Sequence, residues 1–463
     1  MGLVMDDRVA LIDAESGRTV TYGDIAALSD QLTTVAAGRR FAVVFTELTT
    51  RSLALYRAAY SADIAVALLE ASLSDDLALP LLASYEPDVI IATRARTLPP
   101  GYREVIPDVY VRDGDPTPVD DDLAVLLSTS GSTGSPRFVR LSRSNIESNT
   151  SAIVRSLSLT ADDRAMTMLP LSYSYGMSVV NTHLAVGGSV VVSSASLFEP
   201  SFWPTVSDHG VTMLNGVPST FPMLLRIGLE KQSLPRLRAL TQAGGRLAVD
   251  LVDRFADIMD RRGGEMFVMY GQTEASPRIA SRSVTRSQER VGSCGVALTD
   301  GHLQVVDSDE VLPVGQTGEV VYRGPNVMLG YAEARADLVA GDVTGGVLHT
   351  GDLGRLDADG FLYLTGRTKR IAKISGLRIS LDEIEHLVVG QGSVAAVPAG
   401  DDGIVVYCTD GDPTAFRSIE RSLSSNLRLP PRSIRIVRAD DLPLLPSGKV
   451  HYQALIATLK EEL

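Results

Sequence analysis

Short apolar runs alternate with amphipathic stretches through most of the chain, a pattern typical of strands and helices in α/β layers. The runs that predict strands are Phe41 to Phe45, Val89 to Ile91, Leu123 to Leu127, Ser189 to Ser193, Val211 to Leu214 and Phe267 to Tyr270. Helical stretches lie between them, for example Ser144 to Ser156 and Val249 to Arg262. The longest apolar run, Leu184 to Val192, is interrupted by two glycines, so it predicts a buried strand and not a membrane span.

The pattern changes after residue 301. Short β-rich pieces punctuated by Gly, Pro and Asp predict a barrel-like subdomain; they are Leu303 to Val306, Gly318 to Tyr322 and Phe361 to Leu364. Beyond residue 367 the order is strand, helix, strand and helix, which predicts a small α+β domain. Its expected elements are Ile371 to Ile374, a helix opened by Ser380 with Glu383 three residues later, and Gly403 to Cys408. We therefore predict a large N-terminal domain of layered α/β subdomains (1–367) and a small C-terminal α+β domain (368–463).

Composition narrows the function classes. The 463 residues carry a net charge of −13, which argues against a surface that coats nucleic acid. Met1 to Asp7 contains two acids and shows no signal-peptide pattern, so we expect a cytoplasmic protein with no membrane partner. Cys294 and Cys408 lie far apart, without His or Cys neighbours at ligand spacing. They predict two buried free thiols, with neither a zinc site nor a disulfide framework.

The chemically most informative segment runs from Ser128 to Arg137 and reads STSGSTGSPR. It follows a predicted buried strand directly, and its hydroxyls and glycine-rich backbone suit the wrapping of a polyphosphate. The spacing is not that of a Walker loop. Taken alone, the composition is also typical of a surface turn.

This loop resembles the phosphate loop of the adenylate-forming superfamily, which includes acyl- and aryl-CoA synthetases, peptide-synthetase adenylation domains and luciferases. Other segments that resemble motifs of this family occur in the family's order: Thr21 to Ile25, Tyr270 to Glu274, Gly318 to Tyr331, His349 to Gly354, Gly366 to Gly376 and Pro446 to Lys449. The likeness covers nearly the whole chain. Lys occurs only at 231, 369, 373, 449 and 460, so a Lys inside a motif is unexpected by chance.

The resemblance implies ATP and Mg²⁺ as cofactors and assigns roles to individual residues. The residues implied to hold the nucleotide are Thr129, Ser130, Gly131, Ser132, Thr133, Gly134, Tyr270, Gly271, Asp352 and Arg367. Within this set, the loop holds phosphates, Tyr270 stacks on adenine and Asp352 accepts from the ribose hydroxyls. Thr273, Glu274 and Lys449 are implied to be catalytic: Glu274 binds Mg²⁺, and Lys449 bridges the substrate carboxylate and the α-phosphate. The resemblance also implies that the C-terminal domain (368–463) is a mobile lid, with a hinge that aligns with Lys369.

Each of these residues has a structural alternative when it is considered alone. Asp352 could cap a turn, Glu274 could be an acid in the first turn of a helix, and Lys449 could be a solvated loop residue. The collinear order of the motifs favours the functional interpretation.

The family segments also imply an acid pocket, formed by Tyr173, Ser174, Tyr175, Gly176, Asn215, Val217, Gly244 and Gly245. Relatives that activate amino acids place an Asp near the first of these, and no acidic residue lies between Arg164 and Phe198 here. An unpaired buried ammonium would be costly, so we expect an acid other than an α-amino acid. Arg278 could meet a second carboxylate, but a solvated position at the cleft rim is expected.

Three positions depart from the family pattern. The phosphate loop continues Pro136-Arg137-Phe138 where the family usually has Pro-Lys-Gly, and Arg143 stands where a His is often found. The expected function is activation of a carboxylic acid as its acyl-adenylate with release of pyrophosphate, then transfer to coenzyme A. An acyl carrier protein is the alternative acceptor, for which the Arg-rich stretch Arg428 to Arg438 could provide a docking patch. A nucleotide-binding regulator without turnover is the alternative of another class, and only Arg137-Phe138 favours it.

Overall fold

The computed structural model describes residues 7–128, 137–287, 289–368, 370–374, 377–388, 391–400, 403–427, 429–430, 433–445 and 448–462. Contacts between residues divide the chain into two compact units: Met1–His302 with Arg323–Leu348, and Leu303–Tyr322 with His349–Leu463. The β-rich region after residue 302 is thus grouped largely with the C-terminal residues. A functional boundary at residue 367 stays a prediction.

The elements of the described residues follow one another in chain order. The strands are β1 (Val9–Asp13), β2 (Thr19–Thr21), β3 (Phe41–Thr46), β4 (Ala65–Glu70), β5 (Val89–Ala92), β6 (Tyr102–Ile106), β7 (Val109–Arg112), β8 (Leu123–Ser128), β9 (Phe138–Ser142), β10 (Arg164–Met166), β11 (Ser189–Val192), β12 (Met213–Gly216), β13 (Ala239–Gln242), β14 (Glu265–Gly271), β15 (Arg278–Ser283), β16 (Val296–Ala297), β17 (His302–Asp307), β18 (Glu310–Val311), β19 (Gly318–Arg323), β20 (Gly330–Ala332), β21 (Val347–Leu356), β22 (Leu362–Arg367), β23 (Ile371–Ile374), β24 (Leu377–Ser380), β25 (Val394–Ala399), β26 (Gly403–Cys408) and β27 (Ile434–Arg438). The helices are α1 (Tyr22–Ala36), α2 (Thr50–Ser61), α3 (Asp75–Tyr85), α4 (Arg143–Leu157), α5 (Ser174–Ala185), α6 (Phe202–Asp208), α7 (Thr220–Arg226), α8 (Val249–Asp260), α9 (Leu381–Leu387), α10 (Pro413–Asn426) and α11 (Tyr452–Glu462).

Two large mixed sheets with helices form the first unit. One has the strand order β16-β15-β14-β13-β12-β10-β11-β1-β2, and the other has the order β20-β9-β8-β4-β3-β5-β7-β6. Every residue of β3 and β5 is buried. Such continuous apolar strands are typical of a parallel sheet covered on both faces, and β4, β3 and β5 are indeed parallel neighbours. The predicted α/β class is confirmed.

Local capping explains where two of the helices begin. The Thr21 hydroxyl accepts from the Asp24 N–H at the start of α1, while the Asp24 carboxylate accepts from the Thr21 N–H. This reciprocal pair satisfies two donors that have no partner inside the helix. Ser142 and Asn145 make the same arrangement at the start of α4.

The second unit contains a five-stranded sheet with the order β18-β17-β19-β21-β22, a β23-β24 hairpin and a β25-β26-β27 sheet. Arg370, next to the predicted hinge, is held in a half-buried ion cluster. Its guanidinium contacts Asp382 and Glu385, the latter at 2.8 Å, and lies 3.8 Å from the centre of the Tyr452 ring. Burial raises the pKa of Asp382 and Glu385 against the opposing effect of Arg370.

Two expectations were wrong in part. The run Leu184 to Val192 is not one strand, because Leu184 belongs to the last turn of α5 and β11 begins only at Ser189. The two glycines between them make the turn from helix to strand. Both cysteines are free, but only Cys408 is buried, whereas Cys294 is half-buried. Among the described residues, no helix is both long and apolar enough to cross a membrane.

Candidate active site

The predicted acid-site residues come together at one edge of the nine-stranded sheet. Strands β10, β12, β13 and β14 are parallel neighbours, so their carboxyl ends lie along the same edge. Ligands of open α/β sheets bind outside these carboxyl ends. The residues that end or follow these strands are Tyr173, Ser174, Tyr175, Gly176, Asn215, Val217, Gly244, Gly245, Tyr270 and Gly271.

The first turn of α5 is packed tightly against the loop that precedes it. A Cβ on Gly176 would lie 2.2 Å from the Pro170 carbonyl oxygen, so only glycine fits there. The Tyr175 side chain is buried, and its hydroxyl donates to the Thr241 carbonyl at 3.0 Å. The Thr241 hydroxyl in turn donates to Asn215 Oδ1 at 2.8 Å. These bonds fix the pocket side of α5 to β12 and β13.

Thr273 and Glu274 form a short 3₁₀ turn directly after β14. The chain reverses so closely there that a Cβ on Gly271 would lie 1.9 Å from the Pro277 carbonyl oxygen. The Thr273 hydroxyl lies 3.1 Å from the Ser174 hydroxyl, which links a predicted catalytic residue to the predicted acid pocket. The structure therefore places these two predicted groups side by side in the first unit.

Glu274 offers the kind of ligand that Mg²⁺ prefers. Its Oε1 accepts a hydrogen bond from the Tyr331 hydroxyl at 3.0 Å, and its backbone carbonyl accepts from the Met328 N–H. Within the described part of the chain, no cluster of three or more His, Cys, Asp or Glu side chains could hold a metal alone. One carboxylate therefore fits a magnesium ion whose other ligands are phosphate oxygens and water.

Tyr331 orients this carboxylate and is itself stacked against Arg137, whose guanidinium carbon lies 3.6 Å from the ring centre. Burial raises the pKa of Tyr331 to about 12, so its hydroxyl stays protonated and donates.

We expect Tyr331→Phe to raise the KM for Mg-ATP about 10-fold, because a hydrogen bond to a charged group contributes about 1.5 kcal/mol or more. Initial-rate kinetics at varied Mg-ATP measures the change.

Tyr363→Phe is the matched control, because that hydroxyl contacts Asp357 at 3.3 Å, away from Glu274. An unchanged KM in Tyr331→Phe would show that Tyr331 does not orient the metal ligand.

The expectation of a solvated Arg278 was wrong. Arg278 is the first residue of β15, a strand in which five of the six residues are buried, and only 2% of the Arg278 surface is exposed. Its guanidinium carbon lies 4.7 Å from the centre of the Tyr175 ring. The side chain thus lies inside the protein beside the predicted acid pocket.

A small cavity lies beneath this pocket, and α5 contributes the buried His183 to its lining. His183 Nδ1 lies 2.8 Å from the Val179 carbonyl, and burial lowers the pKa of His183 to about 4. The ring is therefore neutral at pH 7, with Nδ1 as the donor.

This neutral histidine predicts a loss of stability in acid. The unfolded chain binds the proton near pH 6.5 but the folded chain only near pH 4, so the stabilisation is complete above pH 6.5 and is lost as the pH falls towards 4. We expect the free energy of unfolding to fall about 2–3 kcal/mol more in the wild type than in His183→Asn between pH 7 and 4.5. Urea denaturation at several pH values measures this difference.

The exposed His302 gives the control variant, His302→Asn, which should keep the wild-type profile. Parallel profiles for the wild type and His183→Asn would contradict the assignment of a neutral buried ring.

Asp352 and Arg367 face each other across the β21–β22 pair of the second unit. Asp352 is almost fully buried, and its Oδ1 accepts from Arg367 Nε at 2.8 Å, while the Arg367 side chain is largely exposed. The Asp352 N–H donates to the Thr350 hydroxyl at 3.1 Å. A buried carboxylate oriented by an arginine suits the binding of hydroxyl donors, as predicted for a ribose.

Lys449 follows Gly448, whose φ of +76° suits glycine. The Gly448 N–H donates to the Leu445 carbonyl and the Leu445 N–H donates to the Lys449 carbonyl, both at 2.8 Å. The backbone of Lys449 is therefore fixed within the second unit.

Some predictions fall on positions that the structure does not describe. Outside the described residues lie the hinge residue Lys369 and the phosphate-loop residues Thr129, Ser130, Gly131, Ser132, Thr133 and Gly134.

The structure does describe the positions at which the chain departs from the family pattern. Phe138 is fully buried in β9, with its ring edge-to-face against Tyr85 at 5.3 Å, so it is a core residue. Arg143 begins α4 and donates to the Tyr60 carbonyl.

The sequence motifs assign no role to three residues beside the site, which are Tyr331, Thr241 and His183. Tyr331 belongs to a family motif, whereas Thr241 and His183 lie outside every motif. Thr241 lies in β13, whose four residues are all buried, and this burial marks it as a polar residue of the interior. No local pattern distinguishes His183 from an ordinary helix residue.

Comparisons with known proteins agree with this geometry. Residues 4–332 match the family model described as AMP-binding enzyme. Feruloyl-CoA synthase from Amycolatopsis sp. is 31% identical over 347 residues, which cover 71% of this chain and 68% of that protein. The fold resembles o-succinylbenzoate CoA synthetase from Bacillus subtilis, solved with its acyl-adenylate intermediate (TM-score 0.77, 23% identity, 97% of this chain and 95% of that chain) and with ATP and magnesium ion (0.76, 23%, 97% and 96%). The chain belongs to the AMP-binding enzyme family, as the order of its motifs predicted.

Proposed function

We propose that this enzyme uses ATP to activate a carboxylic acid as its acyl-adenylate, releases pyrophosphate, and transfers the acyl group to coenzyme A. The observation that carries the proposal is the junction of Ser174, Thr273 and Glu274. It joins a pocket suited to an organic acid to a carboxylate suited to a metal–phosphate complex. Feruloyl-CoA synthase and o-succinylbenzoate CoA synthetase, by their names, form coenzyme A thioesters, which supports this assignment.

The chemistry explains why such groups are needed. A carboxylate is a weak nucleophile that must attack an anionic phosphate in line, so cations and donors must stabilise the developing charge. We assign Lys449 to the substrate carboxylate and the α-phosphate, and the loop from Thr129 to Gly134 to the pyrophosphate. Tyr270 and Gly271 hold the adenine, and Asp352 with Arg367 holds the ribose.

Mg²⁺ would neutralise phosphate charge, with Glu274 as its protein ligand. Thr273 is placed to donate to a phosphate oxygen through the hydroxyl that contacts Ser174. Tyr331 keeps the carboxylate of Glu274 oriented in the absence of the ion.

The acid is not an α-amino acid in this proposal. No Asp or Glu lines the cavity beneath the pocket within the described residues, so an ammonium group would lack a partner there. Met213 and Met269 give this region an apolar lining, which favours aliphatic or aryl acids. Because ATP, coenzyme A and free acids meet in the cytoplasm, we expect the enzyme to act there.

A carrier protein's phosphopantetheine is the second acceptor to consider, because it presents the same thiol as coenzyme A. An Arg-rich stretch near β27 includes the exposed Arg435 and supports this alternative. The two acceptors are separated by the second step of the test below.

The test follows pyrophosphate release with ATP, Mg²⁺ and a panel of aliphatic, aryl, dicarboxylic and amino acids. Release that depends on one class of acid, followed by AMP and thioester formation with coenzyme A, is the expected result. Thioester formation only with a carrier protein would change the acceptor. ATP binding without release for any acid would favour a nucleotide-binding regulator and contradict the proposed function.

A further inference from the structure

Arg278 is a buried cation without a carboxylate partner. Within the described residues, no Asp or Glu oxygen lies within 4 Å of its guanidinium, and its Nε has no hydrogen-bond partner. Its backbone is held instead, by hydrogen bonds with Asn149 and with the Asn326 side chain. The side chain therefore sits in a fixed strand with its charge unmatched.

Such an arrangement is unfavourable for folding alone. Burial of a cation without a counter-ion carries a large desolvation cost, and the Tyr175 ring offsets only part of it. Burial lowers the pKa of Arg278, and the neighbouring tyrosines Tyr175 and Tyr173 oppose that shift. Arginine nevertheless stays protonated in proteins. A residue of this kind is expected where a ligand supplies the missing negative charge.

The cavity beside Arg278 holds further unsatisfied groups. Asn215 Nδ2 and His183 Nε2 both line it and have no hydrogen-bond partner among the described residues. The volume open to the centre of a water-sized sphere is about 10 Å³, so the cavity has room for one water molecule. A water molecule in this cavity brings no negative charge. The terminal nitrogens of the guanidinium remain for an anion.

We propose that Arg278 binds a second anionic group at the far end of the acid, so that the substrates are short dicarboxylic or sulfo-carboxylic acids. This inference rests on the proposed function, because it concerns the same acid pocket. Ser174 contacts Thr273 at the reactive end, and the next residue, Tyr175, contacts Arg278. Adjacent residues of one helix thus contact the groups at both ends of the pocket, which limits the acid to a short chain or a single ring.

Matched pairs of acids test the inference, because the two members share the reactive carboxylate and only one of them carries an anionic group at the far end. Succinate is compared with butyrate, and 3-sulfopropionate with valerate, by kcat/KM for pyrophosphate release. For at least one pair the wild type should favour the dianion about 100-fold or more, since a site built for a polar group strongly rejects the analogue that lacks it. Arg278→Met should reverse that preference, and Arg278→Lys should retain part of it.

A stability measurement separates substrate binding from a structural role. Replacing an unpaired buried charge by an apolar side chain of similar volume is often stabilising, so Arg278→Met should keep or raise Tm, by about 2–4 °C. A fall in Tm together with an unchanged acid preference would overturn the inference. So would equal wild-type rates for both members of every pair.

A binding measurement covers the case in which no acid supports turnover. That result contradicts the proposed function by itself, and the inference is then judged from the Tm of the wild type with and without 3-sulfopropionate or succinate. A rise in Tm that butyrate does not produce and that Arg278→Met abolishes supports the anion site. No rise with either dianion overturns it.

Discussion

Replacing Lys449 with alanine is expected to lower acid-dependent pyrophosphate release by about 10²–10⁴-fold. Two anions approach each other in the adenylation step, and one cation between them offsets several kcal/mol of developing charge. The Lys449 carbonyl accepts a hydrogen bond from the Leu445 N–H, so the variant removes the charge and leaves this backbone bond in place. Pyrophosphate exchange at saturating acid and ATP measures the loss.

Lys231→Ala is the control for this prediction, because Lys231 is exposed and lies outside every motif. It should release pyrophosphate at the wild-type rate. A Lys449→Ala variant that also keeps that rate would sink the assignment. A loss shared by both variants would instead indicate a general effect of removing positive charge.

Lys369→Pro is expected to lower thioester formation about 100-fold or more while adenylation continues. Proline fixes φ near −65°, and a misplacement of about 1 Å in a catalytic arrangement can cost this factor. The neighbours of Lys369 are anchored: the Thr368 N–H and hydroxyl both donate to the Gly351 carbonyl, and Arg370 contacts Glu385. A change of orientation in this segment therefore requires rotation at few residues, which is the property of a hinge.

Lys369→Ala is the matched control, since it removes the same side chain and leaves φ free. Pyrophosphate release reports the first half-reaction, and single-turnover transfer from preformed adenylate to coenzyme A reports the second. Equal loss of both half-reactions in Lys369→Pro would contradict the hinge, and equal behaviour of the two variants would assign the effect to the lost charge.

Much of the fold could be predicted from hydrophobic patterning alone. The strands Ile371–Ile374 and Gly403–Cys408 have the predicted bounds, and Phe41–Thr46 differs by one residue. In these strands the apolar run and the hydrogen-bonded strand coincide. The strand predicted at Val211 to Leu214 is displaced to Met213–Gly216, because the end of this strand carries the polar and small residues of the site.

The site could be predicted only where residues belong to sequential motifs. The position of Thr273 and Glu274 after β14 follows from the motif and the preceding strand. The contact of Glu274 with Tyr331 joins residues 57 positions apart, and that of Ser174 with Thr273 joins residues 99 apart. Such contacts depend on how strands that are far apart in the sequence pack together. The local hydrophobic pattern carries no information about this packing. Burial of Arg278 was missed for the same reason.

Arg278 also bears on how this protein could change over generations. Most substitutions that alter a binding pocket reduce stability, and selection removes those that bring the fold below its threshold. A change from Arg278 to an apolar residue would escape that limit, because it removes a charge that no described carboxylate neutralises. A single substitution can therefore shift the specificity of such a pocket towards acids without a second anionic group. The reverse substitution must introduce a buried cation and carries its full desolvation cost.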